Sequence, residues 1–197
     1  MLYSRGLIAS WRLENTALDG SGNGNHGTLY GTPPSYVAGQ FGQCLSFNGT
    51  TDYVDLPSDL SPRTMTLWAN FNSVTTTAYF LGGKVYPTNH KGVRYDGTSF
   101  LVFTGGTGWS AVNWTKQNAS VHFAAVIGST TYDIYINAVK IGAGDLGTGG
   151  NVIHIRRFAR RENQFPFPGP LDEINFWNRA LSGTDIRRVM MGMHPIS

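Results

Sequence analysis

Glutamate is rare in this 197-residue sequence: only Glu14, Glu162 and Glu173 occur, and charged residues of every kind make up 14%. That is well below the ~25% of an average soluble domain. Cysteine is rarer still. Cys44 stands alone, so an internal disulfide and a CxxC metal site are both excluded. Its setting, "QCLSF", reads as a small buried hydrophobe. No apolar run approaches the ~20 residues of a membrane helix. The opening "MLYSRGLIASWRLEN" lacks the charged start and apolar stretch of a signal peptide. The chain is therefore expected to be soluble, made in the cytosol or carried outside by another route, with no membrane insertion. Positive charge is also confined. The net charge is +3, and "RRFARR" (residues 156–161) carries four positive charges, so the remainder sums to −1. A basic face for nucleic acid is not expected.

In place of charge the chain has 25 glycines and a high share of aromatics (11 Phe, 9 Tyr, 5 Trp). Such a composition favours short strands joined by turns. "LIASWRLEN" alternates Leu7, Ala9, Trp11 and Leu13 against polar neighbours, the pattern of a half-buried strand. Further stretches such as "TMTLWANF", "VHFAAVIG", "TYDIYIN" and "LDEINFWN" follow, separated by Gly, Asn, Pro or Thr clusters. Many short strands at this spacing predict an all-β antiparallel sandwich or jelly roll in one domain, residues 1–197. One short helix is predicted at "SGTDIRRVMMG", with Ser182 as N-cap, Asp185 closing a capping box and Gly192 as the stop.

Several stretches together resemble the laminin-G-like, concanavalin-A-like lectin-glucanase jelly-roll family. They are "LIASWRLEN" with "LDGSGNGNHGTLYG", then "VAGQFGQCLSFNGTTDYVDLP", "RTMTLWANF", "VHFAAVIGSTTYDIYINAVKIG" and "GPLDEINFWNRALSGTDI". They cover nearly the whole chain in the family's order. Val121 stands where members tend to have Trp. Ala138 replaces a hairpin glycine, which argues against a type I′ turn, since that turn needs positive φ at both central residues.

The stretch "DGSGNGNHG", residues 19–27, can turn tightly and aim carbonyl oxygens inward. Asp19, Asn23 and Asn25 add side-chain oxygens, a composition that suits calcium better than zinc. If Ile174 and Phe176 face the core, strand parity puts Asp172 on the same face, where a carboxylate needs a cation or strong donors. The resemblance implies that the first and last strands lie close together. Asp172 is then expected to complete a structural Ca2+ site with Asp19, Asn23 and Asn25. The alternative is a polar turn whose Asn and Asp side chains bond their own backbone.

Some members of such a family hydrolyse glycans with two carboxylates that flank the scissile bond. Here no two acids alternate along a strand: Asp52 and Asp55 are three apart, and Asp172 and Glu173 are adjacent. The five histidines are scattered, without HExxH or a serine elbow. No catalytic residue is assigned, and the chain is read as a non-enzyme.

Recognition is the remaining role. Sugar C–H groups pack on aromatic rings, so Tyr86, Tyr95, Trp109, Asn113 and Trp114, in two loop regions, are the expected carbohydrate-binding residues. The tryptophans could equally fill the core. Arg156, Arg157, Arg160 and Arg161, with Phe165 and Phe167 as apolar anchors, form the expected docking site for an acidic partner or anionic glycan. The alternative there is a solvated turn. The reading is a non-catalytic, lectin-like module that binds a carbohydrate or protein surface in adhesion. The other reading is a decoration protein of a virus or phage particle, docking on other subunits or on its own copies.

Overall fold

The computed structural model describes residues 5–32, 35–83, 91–162 and 164–193. Within them the alternating pattern becomes fifteen strands. In chain order these are β1 (Leu7–Trp11), β2 (Thr28–Tyr30), β3 (Ser35–Ala38), β4 (Gln43–Asn48) and β5 (Tyr53–Leu60). Next come β6 (Thr64–Ala69), β7 (Ala78–Gly82), β8 (Gly92–Tyr95), β9 (Ser99–Phe103) and β10 (Val112–Asn113). The last are β11 (Val121–Ile127), β12 (Thr131–Ile136), β13 (Val139–Asp145), β14 (Ile155–Phe158) and β15 (Pro168–Trp177). A single helix, α1 (Gly183–Met190), follows.

The strands form two antiparallel sheets packed as a sandwich. One runs β13-β12-β11-β6-β15-β4-β3, with β1 also paired to β15; the other runs β10-β9-β8-β7-β14-β5-β2. The first and last strands are thus direct neighbours, from Leu7 opposite Trp177 to Trp11 opposite Ile174. Between the sheets lie the inward residues of both, including Leu45, Phe47, Val54, Leu67, Phe80, Phe100, Phe123 and Phe176. Trp11 is fully buried there. It meets Phe158 and Phe176 edge-on at 4.8 and 5.3 Å, an arrangement aromatic quadrupoles favour.

The helix begins as its sequence predicts. Ser182 accepts from the Asp185 amide, and the Asp185 carboxylate accepts from the Ser182 amide, which completes the capping box. Ile186 and Val189 then cover Trp177, Leu181, Ala124 and Ala138 on the outer side of the larger sheet.

Two expectations fail locally. Asn137 and Ala138 take φ of 49° and 62°, and Ile136 pairs with Val139. The hairpin therefore makes the tight left-handed turn with alanine in the place of glycine. On β15 the register shifts between Asp172 and Asn175, and Glu173 sits at φ 50°. This bulge breaks the alternation. Leu171 and Ile174 both face the core, while Asp172 lies opposite Trp68 on the outer face, not on the side Ile174 and Phe176 occupy.

Candidate functional site

The glycine-rich loop is organised around one carboxylate. Asp19 Oδ1 accepts the amides of Ser10 and Ser21, and Oδ2 that of Asn25, each at 2.9 Å. Burial alone would raise the Asp19 pKa, but these donors outweigh it and hold the carboxyl below its usual range. His26 Nδ1 accepts the Asp19 amide at 3.0 Å, so a neutral His26 carries its proton on Nε2. The Asn23 and Asn25 amide nitrogens donate to the Ile8 carbonyl at 3.1 and 2.9 Å, and Trp11 Nε1 donates to the Asn25 carbonyl at 2.9 Å. Gly22 and Gly24, at φ 86° and 74°, supply the left-handed backbone that this closure needs.

Asp172 serves a different turn. Its Oδ2 accepts the Gln40 amide at 2.8 Å, and it packs so closely against Gly39 that a side chain there has no room. The Glu14 carboxylate crowds Gly42 in the same way. Asp172 Oδ1 is buried without a hydrogen bond of good geometry. Burial pushes the Asp172 carboxyl up to about 6, the Glu173 charge adds to that, and the Gln40 and Phe41 amides oppose it. The neighbouring Cys44 thiol is raised to about 11, chiefly by burial and further by Asp172, which makes it unreactive.

Calcium can be tested against this geometry. Asp19, Asn23 and Asn25 are engaged in closing their own loop onto β1, and Asp172 shares none of their partners. As arranged, the four do not make one ligand set. Among the described residues no three His, Cys, Asp or Glu side chains gather as for a metal. Asp172 lies against Gly39 and Glu14 against Gly42, at the two ends of a turn closed by the Gly39 amide donating to the Gly42 carbonyl at 2.9 Å. Glu14 was missed in the sequence because only the fold brings it there.

The outer face of the smaller sheet carries a row of rings and guanidinium groups. Leu101 pairs with Arg94, and Arg94 with Tyr79, so three adjacent strands present them side by side. Trp109, 40% exposed, packs edge-on against Phe103 at 5.7 Å, with the Arg94 guanidinium 5.7 Å from its ring. Residues 160–161 cross directly over Gly82, where a side chain would strike the Arg160 carbonyl. That crossing sets the Arg161 guanidinium 5.0 Å from the Tyr79 ring and 5.1 Å from Phe165. Further along, Arg157 and Arg160 lie 4.8 and 4.9 Å from the Tyr53 ring, and Tyr30 stacks on Tyr53 at 4.9 Å. Arg157 Nε pairs with Asp55 at 2.9 Å and Arg156 Nε at 3.6 Å. A hollow of about 200 Å³ opens among Tyr79, Arg94, Leu101, Phe103, Trp109 and Arg161. A larger one of about 580 Å³, beside α1, is lined by Arg5, Gly6, Asn178, Arg179, Asp185 and Arg188. Asp185 pairs with both Arg179 and Arg188 there.

Of the aromatics expected at a sugar site, Trp109 alone among the described residues lies at this hollow. Tyr95 is fully buried, its hydroxyl donating to the carbonyls of Gly97 and Trp114 at 2.7 and 3.1 Å. The Trp114 amide donates to the Thr98 carbonyl at 2.8 Å, and its ring packs against the core, stacked on Phe100 at 5.2 Å. Asn113 is exposed on β10, opposite Ser99. Tyr86 lies outside the described residues. Among the expected docking residues Phe165 is 41% exposed, but Phe167 is buried in the core and anchors nothing outside. Arg160 and Arg161 are also buried, laid flat on rings instead of standing in solvent. No helix among the described residues is long and apolar enough to cross a membrane.

Two facing antiparallel sheets closed by one helix define a concanavalin-A-like β-sandwich. Residues 48–187 match Laminin_G_3, the concanavalin A-like lectin/glucanases superfamily, and the chain belongs to that family. Domain 4 of AbnA, a GH43 extracellular arabinanase from Geobacillus stearothermophilus solved in complex with arabinotriose, is similar at 25% identity and a TM-score of 0.74. The match covers 93% of this chain and 97% of that one. The binding domain of Paraclostridial Mosquitocidal Protein 1 superposes with a TM-score of 0.73 at 16% identity, over 97% of this chain and 53% of that one. The binding domain of botulinum neurotoxin DC, in complex with rat synaptotagmin II, gives 0.69 at 14%, over 96% and 52%. The chain spans about half of each toxin chain, and these two likenesses show the fold alone. No curated protein sequence matches.

Proposed function

We propose that this chain is a non-catalytic recognition module that binds a glycan on the outer face of the β10-β9-β8-β7-β14-β5-β2 sheet. The observation that carries the reading is the exposed Trp109 ring at the rim of a hollow that Arg94, Tyr79 and Arg161 also line. A ring face packs against sugar C–H groups while fixed donors bond the hydroxyls, the usual division of labour in a ligand pocket. At about 200 Å³ the hollow is smaller than the roughly 300–1,000 Å³ of drug-sized sites, which suits one sugar ring. Among the described residues its lining holds no carboxylate, and glycoside hydrolysis needs two, which supports binding over cleavage. The arabinanase domain, with its bound arabinotriose, lends support from a relative of nearly the same length. That relative is extracellular, and work outside the cell is part of the proposal. The expectation of a virus or phage particle draws no support from the similar structures named above and is not carried forward. Screening on a glycan array, followed by titration of the best ligand, tests the reading. Trp109→Ala is expected to weaken binding at least tenfold while melting stays within about 2 °C, since the ring is half in solvent. Unchanged affinity would move the site elsewhere.

Calcium is proposed at the Gly39–Gly42 turn, not in the 19–27 loop. The support is the buried, unpartnered Asp172 Oδ1 and the Glu14 carboxylate against Gly42. Hard oxygen donors of this kind suit calcium, and turn carbonyls commonly complete its shell. Calorimetric titration of chelator-treated protein is expected to show a binding heat that Asp172→Asn removes. A heat retained by that variant, or absent from both proteins, would overturn the assignment.

A further inference from the structure

We infer that the glycan taken by this face is anionic, a sugar bearing a carboxylate or sulfate group that Arg94 and Arg161 receive beside Trp109. The inference rests on the glycan reading above and adds the chemistry of the ligand.

The starting point is how little these arginines are matched within the protein. Arg94 has no hydrogen-bond partner and no carboxylate within ion-pair distance among the described residues, and its Nε is buried without a partner. Arg161 is 6% exposed. Its Nη2 donates to Gln164 at 2.7 Å and its Nη1 reaches the Tyr79 hydroxyl at 3.4 Å. Both partners are neutral, and its Nε is also orphaned. Arg160, over Tyr53, meets only the Thr51 carbonyl among the described residues, at 3.5 Å. Among the described residues the one acid in an ion pair with this row, Asp55, is already shared by Arg156 and Arg157, and Glu162 on the crossing turn gives Arg157 its backbone carbonyl at 3.0 Å.

Ring faces return part of the hydration that such cations lose, but they accept no hydrogen bond. A guanidinium withdrawn from water in this way is short of an oxyanion. The rings also hold the planar forks still, Arg161 between Tyr79 and Phe165 and Arg94 beside Trp109. Little side-chain freedom is then lost when a ligand arrives. Arg94 and Arg161 line the same hollow as the exposed indole. One pyranose ring on Trp109 would therefore place its acidic substituent between two fixed guanidinium groups. Carboxylate and sulfate both match that fork.

Titration calorimetry with three oligosaccharide probes tests this: an oligogalacturonate for carboxylate, a heparin-derived oligosaccharide for sulfate, and a neutral arabino-oligosaccharide. Wild-type protein is expected to bind one or both acidic probes at least tenfold more tightly than the neutral one, and to lose affinity as salt is raised. Binding of the oligogalacturonate, which bears no sulfate, identifies carboxylate as sufficient, and binding of the heparin probe alone, which bears both groups, points to sulfate. Arg94→Gln should lose at least tenfold for the acidic probe with unchanged melting, Arg94→Lys should recover part of it, and Trp109→Ala should weaken every probe. Neutral sugar bound as tightly as acidic sugar, with Arg94→Gln indifferent and Trp109→Ala damaging, would overturn the anionic inference and leave the glycan reading standing. If neither these probes nor a glycan array yields a ligand for the wild type, both fall together.

Discussion

Replacing Asp172 by asparagine isolates the cost of a buried carboxylate. Asp172 is 3% exposed, with Oδ2 on the Gln40 amide and Oδ1 unpartnered. Its carboxyl rises from 3.8 to about 6, mainly through burial. A rise of that size corresponds to roughly 3 kcal/mol between the two protonation states. The sign follows from proton counting. Between pH 3.8 and about 6 the folded state holds a proton that the unfolded chain has released, so wild-type stability falls as pH rises through this window. Above it the whole penalty is present, and below pH 3.8 it vanishes. Asparagine keeps an acceptor for Gln40 and removes the charge. In chelator at pH 7, Asp172→Asn is therefore expected to be more stable than wild type by about 1–3 kcal/mol, and at pH 3.5 the two should nearly coincide. Urea unfolding at pH 3.5, 5, 6 and 7, read as the difference between the two proteins, removes contributions common to both. A variant less stable than wild type at pH 7, or a difference that does not change with pH, would refute the reasoning. Added calcium should close or reverse the gap, because an ion held by the folded state at a hundred times its dissociation constant contributes about 2.7 kcal/mol to the wild type alone.

Three further perturbations probe other parts of the fold. Asp19→Ala leaves the Ser10, Ser21 and Asn25 amides without their shared acceptor and should cost at least about 3 kcal/mol in denaturant unfolding, since a hydrogen bond to a charged group contributes roughly 1.5–3 kcal/mol and the freed amides of this loop regain water in part; a loss under 1 kcal/mol would contradict its role as the hub. His122 is buried and its pKa is pushed down to about 3, so the unfolded chain takes up a proton first and stability falls by roughly 4 kcal/mol as pH drops from 6.5 to 3; His122→Phe should flatten that acid limb in a melting-against-pH series, and an unaltered limb would assign it to other groups. At Ala138, glycine should change stability by no more than about 1 kcal/mol, since relief of left-handed strain is offset by chain entropy and lost packing, whereas valine should cost over ~2 kcal/mol; equal effects from both would mean that the turn is not left-handed in solution.

The sequence carried the architecture because that depends on alternation, turn residues and a helix cap, all local signals. Ser182 and Asp185 form their box three residues apart, and the alternation of β1 needs nothing beyond its own residues. The site was legible only in fragments, for identifiable reasons. Parity on β15 failed because the bulge at Glu173 inserts a residue, and no composition cue marks a glutamate at positive φ. Trp109 and Trp114 look alike in "GWSAVNW"; only the fold separates them, with the Trp114 ring stacked on Phe100 and the Trp109 ring 40% exposed. Alanine at position 138 argued against a left-handed turn, yet the two-residue connection adopts it, with Asn137 and Ala138 both at positive φ. The arginine run looked like a solvated turn or a docking patch because its partners, Tyr53, Tyr79 and Gly82, lie about 75 to 110 residues earlier in the chain.

The two outer faces of the sandwich handle buried charge in opposite ways. On the larger sheet an acidic residue, Asp172, is placed beside neutral Trp68 and Cys44 and under a glycine turn, so its missing partner would be a cation. On the smaller sheet arginines are laid on tyrosine, phenylalanine and tryptophan rings with few acids near them, so the missing partner would be an anion. Neither arrangement is explained by stability alone, because a packed apolar pair at either place would avoid the desolvation cost. The proposed cation site sits at a tight turn beside the β1–β15 seam and would act only on the fold. The proposed anion site opens beside an exposed indole and would act on something outside it. On these two proposals, stabilisation and recognition are separated across the thickness of one sandwich. That separation is why Asp172→Asn should alter melting without altering glycan affinity, and Arg94→Gln should do the reverse.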